Sequence, residues 1–186
     1  MKEIFTPEEF LQLLSQLSAS LEQEGKHTTI ILFGGGALSM YYGARAETHD
    51  LDVLINADDR SSIIKAVQRI AADNDAVGDW LNDDGKSLIT DAIIADAQDF
   101  ISLPAITMKV ASAEALLALK AAALRYRPGS HDLEDARFLI QRLGITKVEE
   151  IVALTEKYLP KRLLPISAYN ETMLDVLVEE TNQASE

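Results

Sequence analysis

Residues 28 to 36, TTIILFGGG, constrain this chain more than any other stretch, and they are answered fourteen residues later by DLDVLI at 50 to 55. A short, β-branched, wholly apolar run reads as a buried strand. Three consecutive glycines at its end allow a tight turn in which the backbone comes close to whatever lies beside it. In the second run, side chains alternate between faces, so Asp50 and Asp52 point the same way, roughly 6.5 to 7 Å apart, while Leu51 and Val53 point into the core.

The elements around this pair follow from local signals. Thr6, Pro7 and Glu9 form a capping box with proline at the first helical position, and Phe5 with Phe10 forms a hydrophobic staple. The stripe Phe10, Leu13, Leu14, Leu17 and Leu21 then predicts a one-sided helix ended by Gly25. A short helix is expected over 37–43, a second strand over 50–55 and a helix over 58–73. The stretch from 75 to 98 reads as loop with one helical turn. DFISL (99–103) and ITMKV (106–110) read as two strands set side by side around Pro104. Helices are expected over 112–125, 132–143, 147–158 (after a Thr146/Glu149 capping box) and 168–180. The proline-broken segments RYRPGSHD and YLPKRLLP link them. The order predicts an α/β (α+β) fold, a small mixed sheet flanked by helices over 1–111, with a helical C-terminal part, 112–186, packed on it as one compact unit.

Composition narrows the partners. The 186 residues hold 47% apolar and 25% charged residues, no cysteine and a net charge of -13. The absence of cysteine excludes disulfides and thiolate metal sites. No apolar run approaches the roughly 20 residues of a membrane helix, and the acidic N-terminus lacks the pattern of a secretory signal, so a cytoplasmic location is expected. Residues 50 to 99 carry twelve aspartates and no glutamate against four basic residues, whereas Lys109, Lys120, Arg125 and Arg127 cluster around Glu114 alone. Such an acidic chain is a poor sequence-independent nucleic-acid binder, because that affinity comes from neutralising phosphates. A phosphate-bearing small molecule, or one RNA end at a local basic patch, stays compatible with it.

Two common glycine-loop readings fail on residue identity. A dinucleotide fingerprint counted from Gly34 and Gly36 meets Ser39 at its third fixed place, and a P-loop would need lysine where Gly36 is followed by Ala37. GKS at 85–87 lacks its partner glycine, since Trp80 stands there. The remaining reading pairs the glycines with the aspartates. Two carboxylates side by side on an apolar strand repel each other, and Mg²⁺, a hard cation that takes one or two carboxylates plus water and phosphate oxygens, removes that repulsion. The glycines would then bring backbone N–H groups toward the phosphates.

FGGGAL followed by ARAETHDLDV resembles the signature of the nucleotidyltransferase superfamily with the DNA polymerase β-like fold. Gly34, Gly35, Ala37, Leu38, Arg45, Thr48, Asp50 and Asp52 are similar to the pattern of minimal bacterial nucleotidyltransferases related to the AbiEii toxins. WLND (80–83), LLALKAAALR (116–125) and HDLEDARFL (131–139) resemble segments of an uncharacterised nucleotidyltransferase-like bacterial family. The resemblance implies that Asp50 and Asp52 hold two Mg²⁺ ions, with Mn²⁺ as a substitute. It implies an NTP held by the Gly34–Gly35–Gly36 turn with Arg45 and Thr48, and a hydroxyl of an RNA 3′ end, a protein or a small molecule attacking the α-phosphate. A third carboxylate is expected from Asp91, Asp96 or Asp99, with Asp99 the best placed. Lys120 is expected either on the nucleotide phosphates or in an ion pair with Asp132 or Asp135, and Arg125 and Arg127 add charge beside it. Trp80 either packs in the core or stacks on a base, and His49 and His131 are expected at the surface. A cognate toxin or antitoxin protein is the expected partner. The alternative is a catalytically inert binding module of the same fold acting through a protein partner.

Overall fold

The computed structural model describes residues 1–55, 58, 60–124, 131–159 and 166–184. Among them it contains eight α-helices and five strands, in the order α1 (Pro7–Gln23), β1 (Thr28–Phe33), α2 (Gly34–Met40), β2 (Leu51–Ile55), α3 (Arg60–Asp73), β3 (Leu81–Asn82), α4 (Asp91–Ala95), β4 (Gln98–Leu103), β5 (Ile106–Val110), α5 (Ala113–Ala123), α6 (Asp132–Leu143), α7 (Val148–Tyr158) and α8 (Ala168–Gln183). This is the mixed α/β fold with a helical C-terminal part that the element order predicts. Two compact units are present, one of residues Met1–Ile89 with Ala97–Ala111, the other of Thr90–Asp96 with Ser112–Glu186. Arg125 and Arg127, and most of both proline-broken linkers, lie outside the described residues.

The first unit is built on a five-stranded sheet of order β3-β2-β1-β5-β4. β1 runs antiparallel to β2 and parallel to β5, β2 is parallel to β3, and β4 and β5 form an antiparallel hairpin. One face carries Ile30, Leu32, Leu51, Val53, Ile55, Ile106, Met108 and Val110, all buried. The other alternates buried Ile31 and Phe33 with half-buried Asp52, Leu54 and Lys109 and exposed Thr29 and Thr107. α1 packs on α3, and their apolar stripes join the same core. The capping box forms as expected, with Glu9 Oε2 accepting from Thr6 N–H at 3.0 Å, and the Phe5 and Phe10 rings stack 5.0 Å apart.

Three local expectations are corrected. The short helix begins at Gly34 rather than 37, so the glycines are its first turn. The segment expected as loop contains β3, a five-residue 3-10 helix at Asp84–Leu88, and α4. A two-residue strand has no period of its own, and β3 exists only because β2 pairs with it. Before α7, Glu150 rather than Glu149 accepts from the Thr146 and Lys147 N–H groups, at 2.9 and 3.0 Å.

In the second unit α5 packs against α6, α7 and α8. Ala113, Ala115, Leu116, Leu117, Ala118, Leu119 and Ala121 are all buried, which makes α5 the central helix, apolar nearly all round.

Candidate functional site

The site is assembled where β1 ends and β2 begins. Antiparallel pairing sets Phe33 opposite Asp52, and the parallel pairing on the other side of β2 sets Asp52 level with Asn82. Cross-strand partners share a face. Asp52 and Asn82 therefore stand side by side on the partly exposed face of the sheet, the one that also carries Phe33.

The glycine turn closes onto these side chains. Gly34 has φ +63, the left-handed conformation in which a side chain is strained, and a Cβ there would run into the Asp52 carboxylate. A Cβ at Gly35 would lie 3.1 Å from both Arg45 Nη1 and Thr48 Oγ1, and one at Gly36 would lie 2.8 Å from Leu51 Cδ2 and 3.2 Å from the Asp50 carbonyl. From the sequence these glycines are expected to bring backbone N–H groups toward a phosphate. In the structure the space of each missing side chain is filled by the protein itself, and the consequence is convergence: Arg45, Thr48, Asp50 and Asp52 all press on one turn.

The loop that delivers them is tied down from two directions. Thr48 exchanges backbone hydrogen bonds with Phe5, at 2.9 and 3.0 Å, and His49 Nδ1 meets the Glu3 carbonyl at 2.9 Å. Ala44 N–H donates to the Leu38 carbonyl at 2.8 Å, and Ser39 Oγ to the Arg45 carbonyl at 3.3 Å. The N-terminal segment thus acts as a third rail beside the loop, a role its sequence does not announce. His49 and His131 lie at the surface as expected.

Asp50 is half-buried, and Asn82 Nδ2 donates to its Oδ2 at 2.9 Å. Burial pushes the Asp50 carboxyl above its ordinary value; the Asn82 amide opposes the rise, the Asp79 and Asp84 carboxylates add to it, and His49 opposes it. Sequence reasoning missed Asn82. Its signal was the WLND segment, whose only recognisable feature, Trp80, hid a strand: Trp80 is fully buried, its indole N–H on the Val67 carbonyl at 3.2 Å and its ring 6.4 Å from Phe10. The indole packs among α1 and α3, and no face is left for a base.

Next to Asn82, Asp83 is only 2% exposed and accepts from both Nε and Nη2 of Arg60, with Lys86 Nζ at 3.1 Å. The Arg60 hydrogen bonds hold the Asp83 carboxyl below the usual carboxylate range against the opposing effect of burial, and Lys86 adds to the lowering.

Asp99, the best placed of the expected third carboxylates, is not brought to the pair. Asp99 lies on β4, the edge strand three places from β2, 88% exposed with its Oδ1 3.3 Å from Lys109 Nζ. Three strand spacings are roughly 14 Å, beyond the reach of one metal ion. Asp91 and Asp96 belong to the second unit, where Asp96 Oδ2 accepts from Lys157 at 2.8 Å and from the Tyr158 hydroxyl. Lys120, also in the second unit, makes the ion pair: its Nζ is 2.8 Å from Asp132 Oδ1 and 2.8 Å from Asp135 Oδ2.

A hard cation fits the Asp50–Asp52 pair on two grounds: one carboxylate is held above its ordinary value by burial, and the other fills a cradle that only glycine leaves open. Among the described residues no three His, Asp or Glu side chains cluster closely enough to hold a metal, so any ion there rests on this pair. No helix among the described residues is long and apolar enough to cross a membrane. No protein-family model matches this chain, and no curated protein or solved structure matches it significantly.

Proposed function

We propose that this protein is a cytoplasmic Mg²⁺-dependent nucleotidyltransferase, of the minimal kind its sequence resembles, transferring a nucleoside monophosphate from an NTP to an RNA, protein or small-molecule acceptor. The observation that carries the reading is the placement of Asp50 and Asp52. Two carboxylates meet at one strand end, and Asp50, one of them, is partly desolvated and held by the neutral Asn82 amide. Two carboxylates brought together repel each other, and a hard cation that takes one or two carboxylates relieves that repulsion.

Mg²⁺ bound to the pair supplies charge neutralisation for the phosphates and for the attacking oxygen. The chain's own residues do the positioning. Asp50 and Asp52 carry the ion, Thr48 and the N-terminal segment hold their loop, and Arg45, pressed against the glycine turn, offers its guanidinium to a phosphate oxygen. The acceptor oxygen forms a bond to the α-phosphorus, the bond from that phosphorus to the bridging oxygen breaks, and pyrophosphate leaves with the hydroxyl's proton released. A role in a toxin–antitoxin pair belongs to the same proposal and rests on the resemblance alone.

Among the described residues no third carboxylate joins the pair in a metal-holding group, which favours the second reading, an inert module of this fold that acts by binding a partner protein. Thermal melts with Mg²⁺ and each NTP separate the two. At a hundredfold excess over Kd, about 2.7 kcal/mol of linkage is expected, a rise of roughly 5–10 °C for a chain of this size. The rise should vanish in the Asp50→Asn/Asp52→Asn variant. Wild-type protein indifferent to every NTP leaves only the inert module.

A further inference from the structure

The first residues of β1 and β5 border a cavity of about 320 Å³, at the opposite end of β1 from the glycine turn. Thr28 is level with Ile106 and Thr29 with Thr107, and the hairpin turn at Leu103, Pro104 and Ala105 forms the rim. β1 runs from Thr28 to Phe33, the partner of Asp52, so roughly 16 Å separate this cavity from the Asp50–Asp52 pair. Every described lining residue belongs to the first unit.

Buried backbone bonds fix the frame of the cavity. Ala105 donates its N–H to Ser18 Oγ at 3.0 Å and accepts at its carbonyl from Thr28 N–H at 3.0 Å, and both Ala105 and Ser18 are buried. The walls are therefore set before a ligand arrives, which spares it the entropy of ordering them.

The lining selects a ligand class. His27, Thr29, Thr107 and Asp58 offer exposed polar groups, and among the described residues none of these four side chains is hydrogen-bonded or ion-paired within the chain. Leu103, Pro104 and Ile106 add apolar surface beside them. A threonine hydroxyl both donates and accepts, whereas the Asp58 carboxylate only accepts and can take the protons of two adjacent hydroxyls. An anion would be repelled by Asp58, on a chain of net charge -13. A wholly apolar ligand would strip water from these groups without replacing its hydrogen bonds. A sugar-like ring meets both demands, with its hydroxyls on the polar groups and its C–H surface on the apolar ones.

We propose that this cavity binds a small uncharged polyol, one sugar ring with vicinal hydroxyls, through Thr29, Thr107, Asp58 and His27. At that distance from Asp52 the ligand is not the acceptor of the transfer proposed above, and the site stands or falls independently of that reading.

The chain has three histidines, so the imidazole NMR signals of the full-length protein report binding one residue at a time, with His27→Gln assigning the signal of interest. Titration with D-glucose and with D-ribose should give a saturable shift of His27 for at least one of them, while His49 and His131 stay still. Thr29→Val/Thr107→Val removes two hydroxyls at nearly constant volume and keeps β-branched residues on both strands, so the fold should persist and the affinity should fall about tenfold or more. The proposal is overturned if neither sugar gives a saturable shift up to about 100 mM, or if the double variant binds as tightly as wild type. Tighter binding of inorganic phosphate or ethylamine than of either sugar would also overturn it, by assigning the cavity to an anion or to a cation.

Discussion

Gly34 and Asp52 share one space: the Cβ that any other residue would carry at 34 falls within the Asp52 carboxylate, and the backbone at 34 has φ +63. One glycine is thus required twice, by its dihedral angle and by its neighbour. Gly43 separates the two demands, since it has φ +67 with nothing within 4 Å of its Cβ position.

Gly43→Ala is expected to cost only the left-handed penalty, about 1 kcal/mol. Gly34→Ala should cost about 2 kcal/mol or more, because Asp52 must also move, lowering Tm by roughly 4–8 °C. Gly34→Ala alone should weaken Mn²⁺ binding. Paired thermal melts and Mn²⁺ titrations read both effects, and equal losses in the two variants would detach Gly34 from Asp52.

Asp50 predicts a pH dependence of definite sign. Its folded-state carboxyl is raised above the ordinary value of 3.8, so its contribution is fully present below that value and is lost as pH rises through the folded pKa. At neutral pH the ionised form therefore destabilises the metal-free protein. Asp50→Asn should melt higher than wild type at pH 7, with the advantage shrinking toward pH 4, and saturating Mg²⁺ should reverse the order by stabilising wild type alone.

Asp83 predicts the opposite sign. Its folded carboxyl is lowered, chiefly by hydrogen bonds from Arg60, so its contribution is present above the unfolded value and is lost as pH falls through the folded one. Asp83→Asn should lower Tm at pH 7 by roughly 2–6 °C, and the gap from wild type should close on acidification. Because the substitution leaves Asp50 and Asp52 in place, the number of Mn²⁺ ions bound should not change.

Half-buried Lys120 pairs with Asp135, which is only 2% exposed, and with half-buried Asp132. Removing the cation strands a buried carboxylate, so Lys120→Met should cost about 3 kcal/mol, and Lys120→Met/Asp135→Leu should recover most of it. The double variant also tests the phosphate role: an NTP-induced rise in Tm equal to that of wild type assigns Lys120 to the ion pair alone, whereas a diminished rise assigns it to the nucleotide.

Much of the first unit could be read along the chain. Thr6, Pro7 and Glu9 start α1 because a cap is a contract between residues three apart. TTIILF is a strand because β-branched apolar residues leave it little else, and the pairing of Phe33 with Asp52 follows once both strands form. The convergence of Gly34, Gly35, Arg45, Thr48, Asp50 and Asp52 is of this kind, since a strand, a short helix and an antiparallel return within 28 residues can hardly place them elsewhere.

Asn82 and Asp99 were of the other kind. β3 is two residues of non-local pairing without period or propensity, so neither the strand nor the amide beside Asp50 could be read from WLND. Asp99 looked well placed because it precedes a strand, but the order β3-β2-β1-β5-β4 puts that strand at the far edge. The sequence by itself determined which local elements present the glycines and the paired aspartates, through caps, alternation and glycine's dihedral freedom. Only the tertiary structure decided their company: that Asp50 faces an amide, Lys120 faces two carboxylates and Asp99 faces Lys109. Strand order and helix packing bring together residues that share no local signal, and the charge balance of a site depends on those neighbours.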